Sequence, residues 1–168
     1  EVPQKTQGGF NSQIEVGAVV DARDNEPSPT KGYYLEAALR ESSPLWGSES
    51  SYVGAHLGGR VYFPFDSAGS WVFAAQMLGD ALFGDAPVYE LARLGGTHGS
   101  ISGTTAFGGS DLGRGIREQY FLGRIKFIKQ AELRYTFLAF EVLKQHFHTT
   151  AATFVDTALI AKEFDSLK

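Results

Sequence analysis

The chain contains no cysteine, so disulfide bonds and thiol chemistry are excluded. No apolar run approaches the roughly 20 residues of a spanning helix, so no helix is expected to cross a membrane. Cations are in the minority, with 15 Lys and Arg against 19 Asp and Glu and a net charge of −4. Nucleic acid is therefore not an expected partner, because phosphate binding needs clustered Lys and Arg. Only four histidines occur, and His146 and His148 alone lie close together. They share one face at i, i+2 but lack a third ligand, a pattern that suits a polar strand end better than a metal centre. Gly99-Ser100-Ile101-Ser102-Gly103 is no nucleophile elbow, since isoleucine holds its centre. No glycine-rich phosphate loop opens a helix. An enzyme is not expected, nor is a cofactor. Glu1 opens no secretory signal, as a mature or partial chain would.

Turn formers and aromatics are plentiful: 20 glycines, 13 phenylalanines and 7 tyrosines in 168 residues. That composition points to an all-β protein with many turns. The length suits one domain, so residues 1–168 are read as a single unit. The polar first ten residues read as a loop entry. From Ile14 the chain alternates with period two, with Ile14, Val16, Ala18, Val20 and Ala22 opposite Glu15, Gly17, Val19, Asp21 and Arg23. Asp24 to Pro29 breaks this with turn chemistry. Tyr33, Leu35, Ala37 and Leu39 then oppose Tyr34, Glu36, Ala38 and Arg40. Val53, Ala55, Leu57, Val61 and Phe63 oppose Gly54, His56, Gly58, Arg60 and Tyr62. Trp71, Phe73, Ala75 and Met77 oppose Gln76 and Asp80. Val88 to Leu94 reads as a shorter strand, Phe127 to Phe137 as a long one, Phe140 to Phe147 as a turn region and Thr149 to Ala161 as a last strand.

Alternating strands of about ten residues fit a transmembrane β-barrel, which they span with tilt. A soluble barrel or sandwich would show the same alternation with the apolar row inside. The dense charges of the polar rows favour a hydrated lumen. The predicted fold is thus an antiparallel transmembrane barrel of about 7–8 strands in the bacterial outer membrane. Its surroundings would be the lipid bilayer and lipopolysaccharide.

One stretch stands apart. Gly95 to Ser110 is long, small and polar, well beyond the usual connection of about 4–6 residues. Gly108 to Gly115 then holds four glycines around Arg114 and feeds the strand that carries Glu132 and Arg134. A loop arginine that folds inwards needs an acceptor, and the following strands offer Glu132 and Asp156. Otherwise Arg114 is a solvated loop residue. Glu132 and Arg134 are a lumen pair or mere solvation, and Asp21, Arg23 and Asp24 a site or ordinary strand-end and turn residues.

Four segments in order resemble the BamA/TamA-like bacterial surface-antigen barrels, a superfamily of outer-membrane assembly factors and two-partner secretion transporters. Asp21-Ala22-Arg23-Asp24-Asn25 with Pro29-Thr30-Lys31-Gly32 is similar to its strand-and-turn signature. Gly108-Gly109 with Arg114-Gly115 resembles the arginine-glycine-aromatic tip of its sixth extracellular loop. Ala131-Glu132-Leu133-Arg134 resembles the next strand, and Phe154-Val155-Asp156-Thr157 the one after it. The resemblance implies a loop folded into the lumen, with Arg114 held by Asp156 and Glu132 near enough to compete. The departures are Ile116 for the aromatic, Gly113 for an aliphatic residue and Ala158 for a glycine. The family barrel has sixteen strands and periplasmic repeats, and no such repeats occur here. The chain is then either a piece of such a barrel or a reduced relative that closes small or as a homo-oligomer. By resemblance the function is insertion or export of other outer-membrane or periplasmic polypeptides. The alternative is a scaffold barrel that anchors a larger complex and transports nothing.

Overall fold

The computed structural model describes residues 9–96, 105–109 and 112–162. The expected loop entry at residues 1–8, part of the Gly95–Ser110 stretch including the Gly99–Gly103 segment, and the tail beyond residue 162 lie outside the described residues. Six long strands form one antiparallel sheet in the order β1-β2-β3-β4-β7-β8. They are β1 (Gln13–Asp21), β2 (Gly32–Ser42), β3 (Ser51–Pro64), β4 (Trp71–Asp85), β7 (Ile125–Val142) and β8 (Gln145–Ala161). Between β4 and β7 come a short helix α1 (Val88–Ala92) and a two-stranded pair, β5 (Arg93–Leu94) with β6 (Thr105–Ala106). The long sheet is open, with β1 and β8 at its edges.

Polarity across the sheet is inverted relative to a water-soluble domain. On β3, Leu57 is 68% exposed while its neighbour His56 is 5% exposed. The same reversal holds along β2, where Leu35 and Leu39 face outwards and Glu36 and Arg40 are buried. Val16, Val53, Phe63 and Met77 extend the exposed apolar face. Such a face is stable only against hydrocarbon, so the charges line the inside and the aliphatics meet lipid. Lys129 is one charge on the outward row, and its ammonium lies 5.0 Å from the Phe127 ring, so the side chain leans along an aromatic neighbour.

Small residues make the inner face habitable. Gly54 and Gly58 sit on β3 where a Cβ would come within 2.7 Å of Arg40 and 2.8 Å of Leu78. Those glycines leave the width that the long side chains of β2 and β4 need. A core forms where residues of the β4–β7 connection land on this face. Leu94, Phe107 and Leu112 pack on Leu78 of β4 and Ile128 of β7. The sheet therefore has one lipid-facing side and one side partly covered by its own loop.

Two expectations are corrected. Val88 to Leu94 is not one strand: Val88–Ala92 form α1 after Pro87, burying Glu90 and Ala92, and only Arg93–Leu94 are extended, as β5. So short a segment gives no period long enough to separate helix from strand. Phe140 to Phe147 is not a turn region either. β7 and β8 run through it and are joined by Leu143 and Lys144 alone, since Val142 pairs with Gln145. A bulge between Thr136 and Leu138 keeps Leu138, Phe140 and Val142 on the outward row beyond it.

Candidate functional site: an arginine-bearing loop on the inner face

The loop tip is shaped by backbone first. Gly108, Gly109, Gly113 and Gly115 all have positive φ, between 81° and 111°. At Gly113 a side chain would also strike the Phe107 ring, since a Cβ there would lie 2.4 Å from it. At Gly115 nothing is near, so only its φ of 85° restricts substitution. The turns close on themselves: Gly109 N–H donates to the Ile116 carbonyl at 2.9 Å, and Gln119 N–H to the Phe107 carbonyl at 3.2 Å. Phe107 and Leu112 anchor the tip in the core, and Arg114 is presented towards β7 and β8.

Arg114 meets both carboxylates. Its Nε and Nη2 donate to Asp156 Oδ2 and Oδ1 at 3.1 and 2.9 Å, a fork on one carboxylate. Its backbone N–H adds a third bond to Asp156 Oδ2 at 2.9 Å. Nη1 reaches Glu132. The guanidinium also lies over the Phe154 ring, 3.5 Å from Cζ to centroid. Strand register explains the convergence: Glu132 pairs with Phe154 and Gln130 with Asp156, so ring and carboxylates share the inner face of one hairpin. Glu132 is held in turn by Arg134 Nε at 2.5 Å. The hydrogen bonds to Asp156, then those to Glu132, push the already high Arg114 value further up, so it stays charged.

The other singled-out residues close a separate turn between β1 and β2. Asp21 accepts from Arg23 Nε and Nη2 at 2.9 and 2.6 Å, and the Arg23 guanidinium sits 5.0 Å from the Tyr34 ring. Asp24 accepts from the backbone N–H of Thr30 and Lys31 at 2.9 and 3.1 Å and from the Thr30 hydroxyl at 2.5 Å. Those bonds hold its carboxyl down at about 2, the Thr30 hydroxyl contributing most. Gly32 has φ 103°, and a Cβ there would fall 2.1 Å from the Ala22 carbonyl oxygen. These four residues make a local turn clamp and are not part of the Arg114 set. His146 lies 3.8 Å from Glu141 on the exposed hairpin. Among the described residues no group of three or more metal-ligating side chains gathers.

A second charged set escaped sequence reading. Asp80 of β4 is fully buried and accepts from Arg40 Nη1 and Nη2 at 2.9 and 3.0 Å and from Lys126 Nζ at 3.2 Å. His56 Nδ1 is 3.7 Å from the same carboxylate, and its Nε2 is 3.4 Å from Glu36. The register aligns His56, Asp80 and Lys126 across β3, β4 and β7. Arg40, His56 and Asp80 were visible as inward charges, but their meeting depends on register. Lys126 was overlooked because it precedes the alternation that begins at Phe127.

Among curated proteins none matches this chain. Among solved structures it is similar to BamA from Haemophilus ducreyi lacking POTRA domains 1–3, at a TM-score of 0.63 and 19% identity. The likeness covers 88% of this chain and 29% of that one, so the chain spans under a third of that structure. At that identity the match speaks for the fold, an arc of an outer-membrane barrel. Residues 4–165 match the Omp85 superfamily domain, and the chain belongs to that superfamily of bacterial outer-membrane proteins.

Proposed function

We propose that residues 1–168 act as one barrel unit of a protein that inserts or exports other polypeptides at the outer membrane, without enzymatic chemistry. The observation that carries this reading is the tie from Arg114 to both Asp156 and Glu132. A loop seated inside the barrel by one charged side chain is a movable part. It can hold the sheet in one shape and let it change when the tie opens. The lipid bilayer, lipopolysaccharide and polypeptides of the outer membrane or periplasm are the proposed partners, and a homo-oligomer is one way for the open edges of β1 and β8 to close.

The test uses bacteria whose only copy of the full-length protein carries Arg114→Ala. The measurement is the amount of other barrel proteins in the outer membrane and of secreted polypeptides. We expect both the variant in the outer membrane and a severalfold fall in one of those two classes. Unchanged levels of both, with the variant correctly inserted, would leave the scaffold reading in its place.

A further inference from the structure

The connection between β4 and β7 touches the inner face at two separate places, and only one involves Arg114. The other lies at its beginning, where Arg93, Leu94, Gly95 and Gly96 cross β4. Asp80 there receives a bond from the loop itself: Gly95 N–H donates to Asp80 Oδ1 at 3.0 Å. Lys126 Nζ bridges in the other direction, bonding Asp80 at 3.2 Å and the Arg93 carbonyl at 2.6 Å. Gly96 N–H donates to Glu15 of β1 at 3.2 Å. The fit is close. A Cβ on Gly95 would sit 1.7 Å from Arg40 Nη1, and one on Gly96 would sit 2.7 Å from the His56 ring. Groups from β1, β2, β3, β4 and β7 thus meet the loop root, while among the described residues Arg114 is held by β7 and β8.

We propose that Asp80 is the positioning residue of a second anchor, which holds the loop root independently of the Arg114 tie. Arg40 grips Asp80 through a two-pronged pair and fixes the carboxylate so that its remaining acceptor capacity points at the Gly95 amide. Lys126 completes the charge balance and ties the root carbonyl. The two anchors share no side chain. What links root to tip is the β5–β6 pair and the core of Leu94, Phe107 and Leu112, so the polar tie at one end can open while the other stays closed. The loop therefore has a releasable tip on a fixed root. The tip's own contacts can be lost, while β5 and the segment from Arg93 to Gly96 stay on the sheet and guide the tip back. This inference concerns the loop's mechanics and stands whether or not the barrel handles polypeptides.

Hydrogen exchange of backbone amides, read by mass spectrometry on the folded full-length barrel in detergent, tests it. The amides of Gly95 and Gly96 report the root, and those of Arg114 and Gln119 report the tip. Asp80→Asn should speed exchange at the root by about tenfold, with the tip within roughly twofold of the parent. Arg114→Ala should do the reverse. Asp80→Asn leaves Arg40 and Lys126 buried without their anion, a cost large enough to threaten folding, so Gly95→Ala supplies a second route. It removes no charge and crowds Arg40, and it should loosen the root alone. If Asp80→Asn does not fold, the Gly95→Ala comparison decides. Root and tip opening together in either variant, or a root unmoved by both Asp80→Asn and Gly95→Ala, would overturn the second anchor.

Discussion

At the scale of single residues, Arg114 differs from an ordinary surface ion pair in how many of its donors are used. Nε, Nη1, Nη2 and its own backbone N–H all reach a carboxylate. Lysine could not reproduce this, having a point charge where arginine has a planar fork. The site is only part-buried, so solvent recovers some of whatever a mutation removes. Arg114→Ala and Asp156→Ala should each cost about 1–3 kcal/mol of barrel stability. The double variant should cost little more than either single one, because both remove the same contact. Denaturant unfolding of all four proteins checks this, and additive losses would mean that the two residues act separately. The pairing was legible through the resemblance alone: read from the residues, Arg114 could meet Glu132 or Asp156 or stay solvated, and no local pattern chose between these. The Asp80 cluster was not legible to the same degree. Its members come from four strands, and only register decides which inward charges touch.

At the scale of elements, the period-two rows located the main strands within a few residues, because lipid on one side and charge on the other enforce strict alternation. Legibility failed where a signal was missing. The turn joining β7 and β8 carries none of the usual turn residues: Leu143 and Lys144 have φ of 52° and 64°, the left-handed pair of a type I′ turn. Asn-Gly is the expected occupant, and its absence is why the segment was not read as a two-residue hairpin. Leu143 is moreover 93% exposed, so no packing compensates the backbone strain. Leu143→Asn with Lys144→Gly should relieve about 1–2 kcal/mol of local strain. Slower amide exchange over residues 136–150 would show it. Faster exchange would mean that Leu143 has a contact partner that favours the strained turn. The stacked Phe140 and Phe147 rings, 5.4 Å apart, keep the two strands in register on either side of the turn.

At the scale of the whole molecule, everything depends on which side of the sheet meets hydrocarbon. The stacked rings of Trp71 and Tyr135, 4.3 Å apart, mark one rim of the outward face, and Phe83, near the far end of β4, lies towards the other. Along β4, Trp71 and Phe83 are separated by about 40 Å of extended chain, which at the usual tilt covers about 30 Å of height. That matches the apolar band of an outer-membrane barrel with its aromatic girdles. Leu57 lies between the rims, paired with Ala37 on one side and Gly79 on the other, and none of the described residues covers it. Leu57→Arg should therefore cost about 2–4 kcal/mol when the barrel is refolded into lipid vesicles, and Phe63→Arg, nearer the rim, about 0–1 kcal/mol of charge penalty. The gradient with depth is the decisive reading, because a general packing defect would not follow the membrane normal. Equal small costs at both positions would place this face in water, and the inward charges would then need a different explanation from a hydrated lumen.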